Sequence, residues 1–326
     1  MISKLKKNSI DLYKLKTPKD LSHVENYFDL FLKKNFFKEN KINKKFLFIK
    51  NKCLCGSKKF IHKKKIDLFD YIKCNCGNIY ISPMIKNDGL KLIYSEEGPY
   101  SLYRKKFVTR KKSNKIRSSL INKRKFHQLD LLLGKNKKLK ILDYGCGDGS
   151  FLKSCFQGGY KNLFGIDSSL KDIEKENKIK FFNDIKYVEK LKFDCVTMWG
   201  VLEHLNNPIN FLLNIKKKLN KNGKILLEVP NADSLLMNYI YQIENNHVKR
   251  FLEPGRHLYF FSINYLKKNL KKYGFKILDY ETNGLDIQSI IGISNSKKNL
   301  EKILKIQEHI DQNCFSDHLR IAIQKI

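Results

Sequence analysis

The residues best suited to chemistry lie in Ile141-Leu142-Asp143-Tyr144-Gly145-Cys146-Gly147-Asp148-Gly149-Ser150: an apolar run, an acid and three alternate glycines. The run fits a buried strand. Gly145, Gly147 and Gly149 allow a tight turn whose backbone can approach a ligand closely, with helix N–H groups facing it. Twenty residues after Gly147, a second apolar run, Leu163 to Ile166, ends in Asp167. An acid at the end of a second strand can accept hydrogen bonds from both hydroxyls of a ribose, although Asp167 alone could equally cap a helix. A dinucleotide loop wants a third glycine where this chain has Ser150, so that fingerprint is not met.

Two histidines lie further along, His204 in Leu202-Glu203-His204 and His257 in Arg256-His257-Leu258-Tyr259. Either could accept a proton at neutral pH, or simply orient a loop. Arg256 and Tyr259 could bind an anionic substrate. Nearer the start of the chain, Cys53-Leu54-Cys55-Gly56 and Cys74-Asn75-Cys76-Gly77 form two tight cysteine pairs with 18 residues between them. Two such knuckles can bring Cys53, Cys55, Cys74 and Cys76 into a tetrahedron about zinc and staple a small unit that lacks its own core. Cys146, Cys155, Cys195 and Cys314 are scattered and read as small apolar side chains.

Alternating strands and helices must position these groups. After Gly149 a helix should run to Gln157 and end at Gly158-Gly159. Further helices are expected over Leu170 to Asn177 and Pro208 to Leu219. Strands are expected to end at Asp167 and to cover Ile179 to Phe182, Phe193 to Met198, Lys224 to Val229, Phe275 to Tyr280 and His318 to Gln324. Leu235, Leu236, Tyr239 and Ile240, at helical spacing between the fifth strand and His257, are expected either to cap an acceptor pocket or to pack against the core. The alternation implies an α/β fold with a doubly wound parallel sheet, which binds ligands at the carboxyl ends of its strands. Residues 1–50 read as a helical extension, 51–90 as a zinc-ribbon-like cysteine unit, 91–135 as a helical linker and 136–326 as the main domain.

Asp143 followed by G-x-G-x-G resembles the first motif of the Rossmann-like (class I) S-adenosylmethionine-dependent methyltransferases. Phe193 through Trp199-Gly200-Val201-Leu202-Glu203-His204 to Pro208 is similar to their fourth-strand motif. Leu219 through Gly223 to Val229-Pro230-Asn231 is similar to the fifth, and His257 to Ser262 with Tyr273-Gly274-Phe275 to the segment before the sixth. The resemblance covers residues 120–326, and it implies a doubly wound seven-stranded, mostly parallel sheet in which Phe275 to Tyr280 and His318 to Gln324 are the sixth and seventh strands, the last inserted antiparallel. It implies that Gly145, Gly147 and Gly149 admit the cofactor, that Asp143 orients its methionine end, and that Asp167 holds its ribose. It also implies that Asn183 or Asp184 meets the adenine edge, with Trp199 and Val201 as wall. A histidine at the place of His204 is frequent in relatives that act on oxygen. The cysteine unit resembles the zinc-binding unit that precedes the methyltransferase domain of bacterial sugar- and polysaccharide-modifying enzymes, with one residue fewer inside each pair.

The chain carries a formal charge of +33, with only seven arginines among its 65 basic residues. Most of the lysines read as a solvated surface, and the excess favours an anionic ligand without naming one. Basic residues concentrate from Arg104 to Lys125, either as a helix face contacting phosphates or as an exposed linker helix. No apolar window long enough to span a membrane and no apolar signal core at the start is seen, so a cytoplasmic location is expected. The leading expectation is C- or O-methylation of a sugar nucleotide or surface-polysaccharide precursor. O-methylation of a quinone-type or other secondary metabolite is the alternative, and a zinc-containing RNA-binding protein is the reading from another class.

Overall fold

A computed structural model describes residues 18–38, 41–103, 121–168, 179–242, 252–291 and 297–326. The chain opens with α1 (Pro18–Phe36), β1 (Phe37–Lys38), β2 (Lys41–Ile42) and β3 (Leu47–Phe48). The cysteine unit follows with β4 (Phe60–Ile66), β5 (Phe69–Cys74), β6 (Ile79–Ser82) and β7 (Met84–Ile85). Helices α2 (Asn87–Tyr94), α3 (Pro99–Tyr103) and α4 (Lys123–Leu132) lead into the main sheet. That sheet and its helices comprise β8 (Ile141–Tyr144), α5 (Ser150–Gln157), β9 (Leu163–Ile166), β10 (Ile179–Phe182), β11 (Phe193–Trp199), α6 (Pro208–Lys217) and β12 (Leu219–Pro230). They continue with α7 (Leu235–Gln242), β13 (Tyr259–Phe260), α8 (Ile263–Leu270), β14 (Phe275–Asn283), α9 (Asp286–Ile291), α10 (Lys297–Gln312) and β15 (His318–Lys325).

The main sheet has seven strands in the order β10-β9-β8-β11-β12-β15-β14, with β15 antiparallel to both of its neighbours. Strand order reverses between β8 and β11, so the glycine loop leaves the sheet at its switch point. All four residues of β9 are buried, as an interior parallel strand covered on both faces requires. One face carries the larger apolar core, which is continuous with the buried residues of the cysteine unit. The other holds a smaller cluster around Leu129, Ile141, Phe151, Cys195 and Leu226. Helix α6 begins where expected because Asn207 caps the Asn210 amide and Pro208 occupies the first turn.

Strand β12 begins five residues before the expected Lys224: Phe193 faces Leu219, then the register jumps so that Cys195 faces Lys224. The intervening residues bulge through Asn222 at φ +59°. The helix expected over Leu170 to Asn177 falls outside the described residues. So do Arg104 to Arg117 of the basic stretch. At its described end Lys123 is exposed, but the two basic residues after it turn inward. Arg124 reaches Glu281 at 2.9 Å and Lys125 reaches Glu228 at 3.2 Å, both largely buried on the sheet. Of the α7 stripe, Leu236 and Ile240 join Met237 in the main core. Among the described residues, no helix is long and apolar enough to cross a membrane.

The cysteine unit does not stand apart. Its sheet runs β13-β6-β5-β4, and β13, which immediately follows His257 and Leu258, pairs Tyr259 with Tyr80 and Phe260 with Ile79.

Candidate functional site

The glycine loop is built by what flanks it. A side chain at Gly145 would come within 2.7 Å of Val201 Cγ2, and one at Gly149 within 2.6 Å of the Phe181 ring. Gly147, at φ +58°, would meet nothing within 4 Å, so the apex of the loop faces open space. The Gly147 amide donates to Asp167 Oδ2 at 2.9 Å, which draws the end of β9 onto the turn. Gly149 caps α5, whose first amides face the same region. A loop with no Cβ at its apex, a helix N-terminus and a neighbouring acid fit the nucleoside and amino-acid portions of S-adenosylmethionine.

Asp143 lies beneath this loop, 1% exposed, and accepts a 2.6 Å hydrogen bond from Thr197 Oγ1. Burial pushes its carboxyl up to about 7 despite Thr197 and the nearby Lys125. Val201, 8% exposed, borders the loop from the β11 side. The Trp199 ring turns towards α4 and α5, with Lys125 Nζ 4.4 Å from its centroid and Phe151 edge-on at 5.1 Å. Asn183 and Asp184 are exposed just beyond β10, and Asp184 caps the Lys186 amide at 2.9 Å.

His204 and His257 come together although 53 positions separate them, their ring centroids 5.0 Å apart. A Glu203 carboxylate oxygen and one nitrogen of each imidazole lie within 4.8 Å of one another. His204 Nδ1 bonds the Arg256 carbonyl at 2.9 Å, fixing its ring. Burial holds both histidines below their ordinary value, His257 to about 3, so both are uncharged at neutral pH. The same burial raises Glu203 to about 8, which makes it a neutral carboxylic acid there.

The anion-binding expectation for Arg256 and Tyr259 does not hold. Arg256 is 7% exposed, paired with Glu253 at 3.3 Å and stacked over Phe28, while the Tyr259 hydroxyl donates to the Asn206 carbonyl at 3.0 Å. Sequence reasoning also missed two groups. Tyr94, from a segment read as linker, sets its ring edge-on to His204 at 6.0 Å. His318 bonds Asp317 Oδ1 at 2.8 Å at the start of β15, opposite Pro230. Burial opposes its charge, but Asp317 and Glu228 outweigh that and raise it to about 9, so it is a half-exposed cation. The adjacent Asp317-His318 pair at the head of a strand was its one visible signal.

At the cysteine unit the two knuckles close alike: Gly56 N–H donates to Cys53 O at 3.0 Å and Gly77 N–H to Cys74 O at 2.9 Å. Cys53 and Cys76 sulfurs are 3.6 Å apart, Cys55 and Cys74 sulfurs 3.5 Å, and all four lie within 4.8 Å of one another. A zinc ion bound by four thiolates requires sulfurs about 3.8 Å apart. The shortened spacing therefore still assembles a set of donors of the right softness and size.

Residues 117–280, half of the chain, match the sequence model of a family described as a methyltransferase domain. The chain belongs to that family. Its methyltransferase domain is similar to the ubiquinone biosynthesis O-methyltransferase of Pelagibacter ubique (strain HTCC1062), 30% identical over 132 residues, which cover 37% of this chain and 54% of that protein. It is also similar to a tRNA U34 carboxymethyltransferase of Colwellia psychrerythraea, 36% identical over 99 residues, covering 27% of this chain and 31% of that one. The chain thus spans about half the length of the first relative and less of the second. Among solved structures, the plantazolicin methyltransferase in complex with SAH aligns at TM-score 0.48 and 19% identity, covering 72% of this chain and 93% of that one. A methyltransferase from Archaeoglobus fulgidus aligns at TM-score 0.44 and 23% identity, covering 69% and 99%.

Proposed function

We propose that this methyltransferase moves the methyl group of S-adenosylmethionine to a hydroxyl oxygen of a small molecule. The observation that carries the reading is the His204–His257 pair, 5.0 Å apart and uncharged at neutral pH. A hydroxyl attacking a methyl must lose its proton, and a buried neutral imidazole can take it. S-adenosylmethionine supplies an electrophilic methyl carbon when bound. Gly145, Gly147 and Gly149 admit it, Asp167 holds its ribose, Asp143 supports the loop at the methionine end, Asn183 or Asp184 borders the adenine, and Val201 and Trp199 wall the site. Burial keeps both imidazoles neutral and able to accept a proton, and His257, held near 3, binds it weakly. Glu203, uncharged at neutral pH, can donate a hydrogen bond to the acceptor.

A phenolic, quinone-type acceptor is supported by the relative whose name is ubiquinone biosynthesis O-methyltransferase. The formal charge of +33 supports an acceptor with anionic character. A sugar nucleotide or surface-polysaccharide precursor, methylated at carbon or oxygen, is the second reading. It is favoured by the four-cysteine unit, which we propose binds one structural zinc. Incubating the protein with labelled S-adenosylmethionine and a panel of catechols, nucleoside-diphosphate sugars and unmodified tRNA tests the assignment. Label on the catechol supports the first reading, label on the sugar the second, and label on tRNA alone rejects both.

A further inference from the structure

The two cysteine knuckles share one turn geometry but not one environment. At the first knuckle, a side chain on Gly56 would meet nothing within 4 Å. At the second, a Cβ on Gly77 would fall 2.5 Å from Ser262 Oγ. Asn78, wholly buried, closes this second knuckle with its carbonyl, which accepts the Cys74 amide at 2.9 Å. Its side-chain Oδ1 accepts the Ser262 amide at 2.8 Å. Ser262 Oγ then donates to Asp233 Oδ2 at 2.8 Å, on the loop that leaves β12. A staple that only held its own unit together would need none of these contacts.

They lead to the histidines. Next to His257, Leu258 accepts the Ile81 amide of the cysteine-unit sheet at 3.1 Å and donates its own amide to the Glu203 carbonyl at 2.7 Å. Leu258 therefore bridges β6 to the loop that carries His204, and β13 runs from it to the Asn78–Ser262 bond. We propose that Asn78 is a positioning residue: through Ser262 and β13, the second knuckle sets His257 against His204. This rests on reading the two histidines as the proton-accepting pair. It gives the cysteine unit a part in the chemistry without touching the cofactor loop, which hangs from β8 on the other side of β11.

The experiment compares full-length wild type, Asn78→Ala and Asn78→Asp for S-adenosylhomocysteine affinity, for kcat and acceptor KM, and for the imidazole NMR signals of His204 and His257. Asn78→Ala is expected to keep S-adenosylhomocysteine affinity within about twofold, lower kcat about tenfold with acceptor KM little changed, and displace the His257 signals. Asn78→Asp keeps an acceptor oxygen for the Ser262 amide in either protonation state and is expected to keep wild-type histidine signals and most of kcat. Unchanged histidine signals in a folded Asn78→Ala protein overturn the proposal. So do displaced signals in a folded Asn78→Asp protein, the arm that decides the matter should the alanine variant fold poorly. A wild type that binds no S-adenosylhomocysteine overturns the methyltransfer reading instead, and the NMR comparison still reads the coupling.

Discussion

Asp167 Oδ2 accepts the Gly147 amide at 2.9 Å, so the acid that ends the second strand closes the apex of the glycine loop. The same carboxylate thus shapes the loop and, on the proposed reading, holds the ribose of the cofactor. Asn at this position retains an acceptor for Gly147 and loses the charge. Asp167→Asn is expected to keep the melting temperature within a few degrees while weakening S-adenosylhomocysteine binding about 10- to 150-fold, the scale of one charge-assisted hydrogen bond at roughly 1.5–3 kcal/mol. Thermal melts and titration on the same samples separate the two effects.

Replacing His204 with Gln removes one of the two proposed bases but keeps a polar side chain for the Arg256 carbonyl. The variant is expected to lose about 10²- to 10⁴-fold in kcat, the usual weight of general-base catalysis, with donor affinity unchanged. Because burial lowers His204, the acid limb of the wild-type kcat profile should fall below pH 6.5. If His204→Ala and His257→Ala both leave turnover intact, the histidine pair is not the base.

Much of this arrangement is legible in the sequence, for identifiable reasons. The strands ending near Asp143, Asp167 and Met198 are short, mostly apolar and punctuated by Gly or Asp, and interior parallel strands admit little else. Asp167 and the loop glycines could be read because one backbone turn demands them at fixed spacing. The surroundings of His257 could not. Tyr94 reaches His204 from a helix 110 positions earlier, and Arg256 looks like an anion binder until Glu253 and Phe28 are found against it. Lys125 and Arg124 belong to a run that looks like solvated charge, and only the antiparallel placement of β15 brings Arg320, Glu228 and Glu281 beneath them.

That buried charge cluster has a predictable cost when broken. Arg320 Nε meets Glu228 Oε2 at 2.5 Å, and Lys125 meets the other oxygen at 3.2 Å. Burial opposes the Glu228 charge, yet Arg320 and Lys125 together hold its carboxyl far below the ordinary range. Glu228→Ala leaves two buried cations without this partner. It should destabilise the fold by about 3–5 kcal/mol in denaturant titration. A loss under about 1 kcal/mol would mean that the cations reach solvent.

Stability should fall as pH rises from about 6.5 to 9. Burial raises Glu203 and, with repulsion from Asp317, Asp286 to about 8. The folded chain therefore keeps protons that the unfolded chain has already released, and loses that advantage progressively up to pH 8. His318, raised to about 9, contributes stability that is complete below its unfolded value and lost as pH passes 9. Melting temperatures across this range should decline in wild type and decline less steeply in Glu203→Gln. A flat or rising wild-type curve contradicts the assigned burial.

Metal analysis of the purified protein should give one zinc per chain, falling below half in Cys55→Ser with a lower melting temperature. A zinc-free wild type whose melting is indifferent to chelators would leave the four thiols as a hydrogen-bonded cluster only.

The most direct test of the central claim is calorimetric titration of the wild-type chain with S-adenosylhomocysteine, beside Asp167→Ala. Saturable one-site binding by wild type, weakened tenfold or more in a variant that melts as a folded protein, is the predicted result. No binding heat from a folded wild type, or equal binding by both proteins, would contradict a cofactor site at the glycine loop.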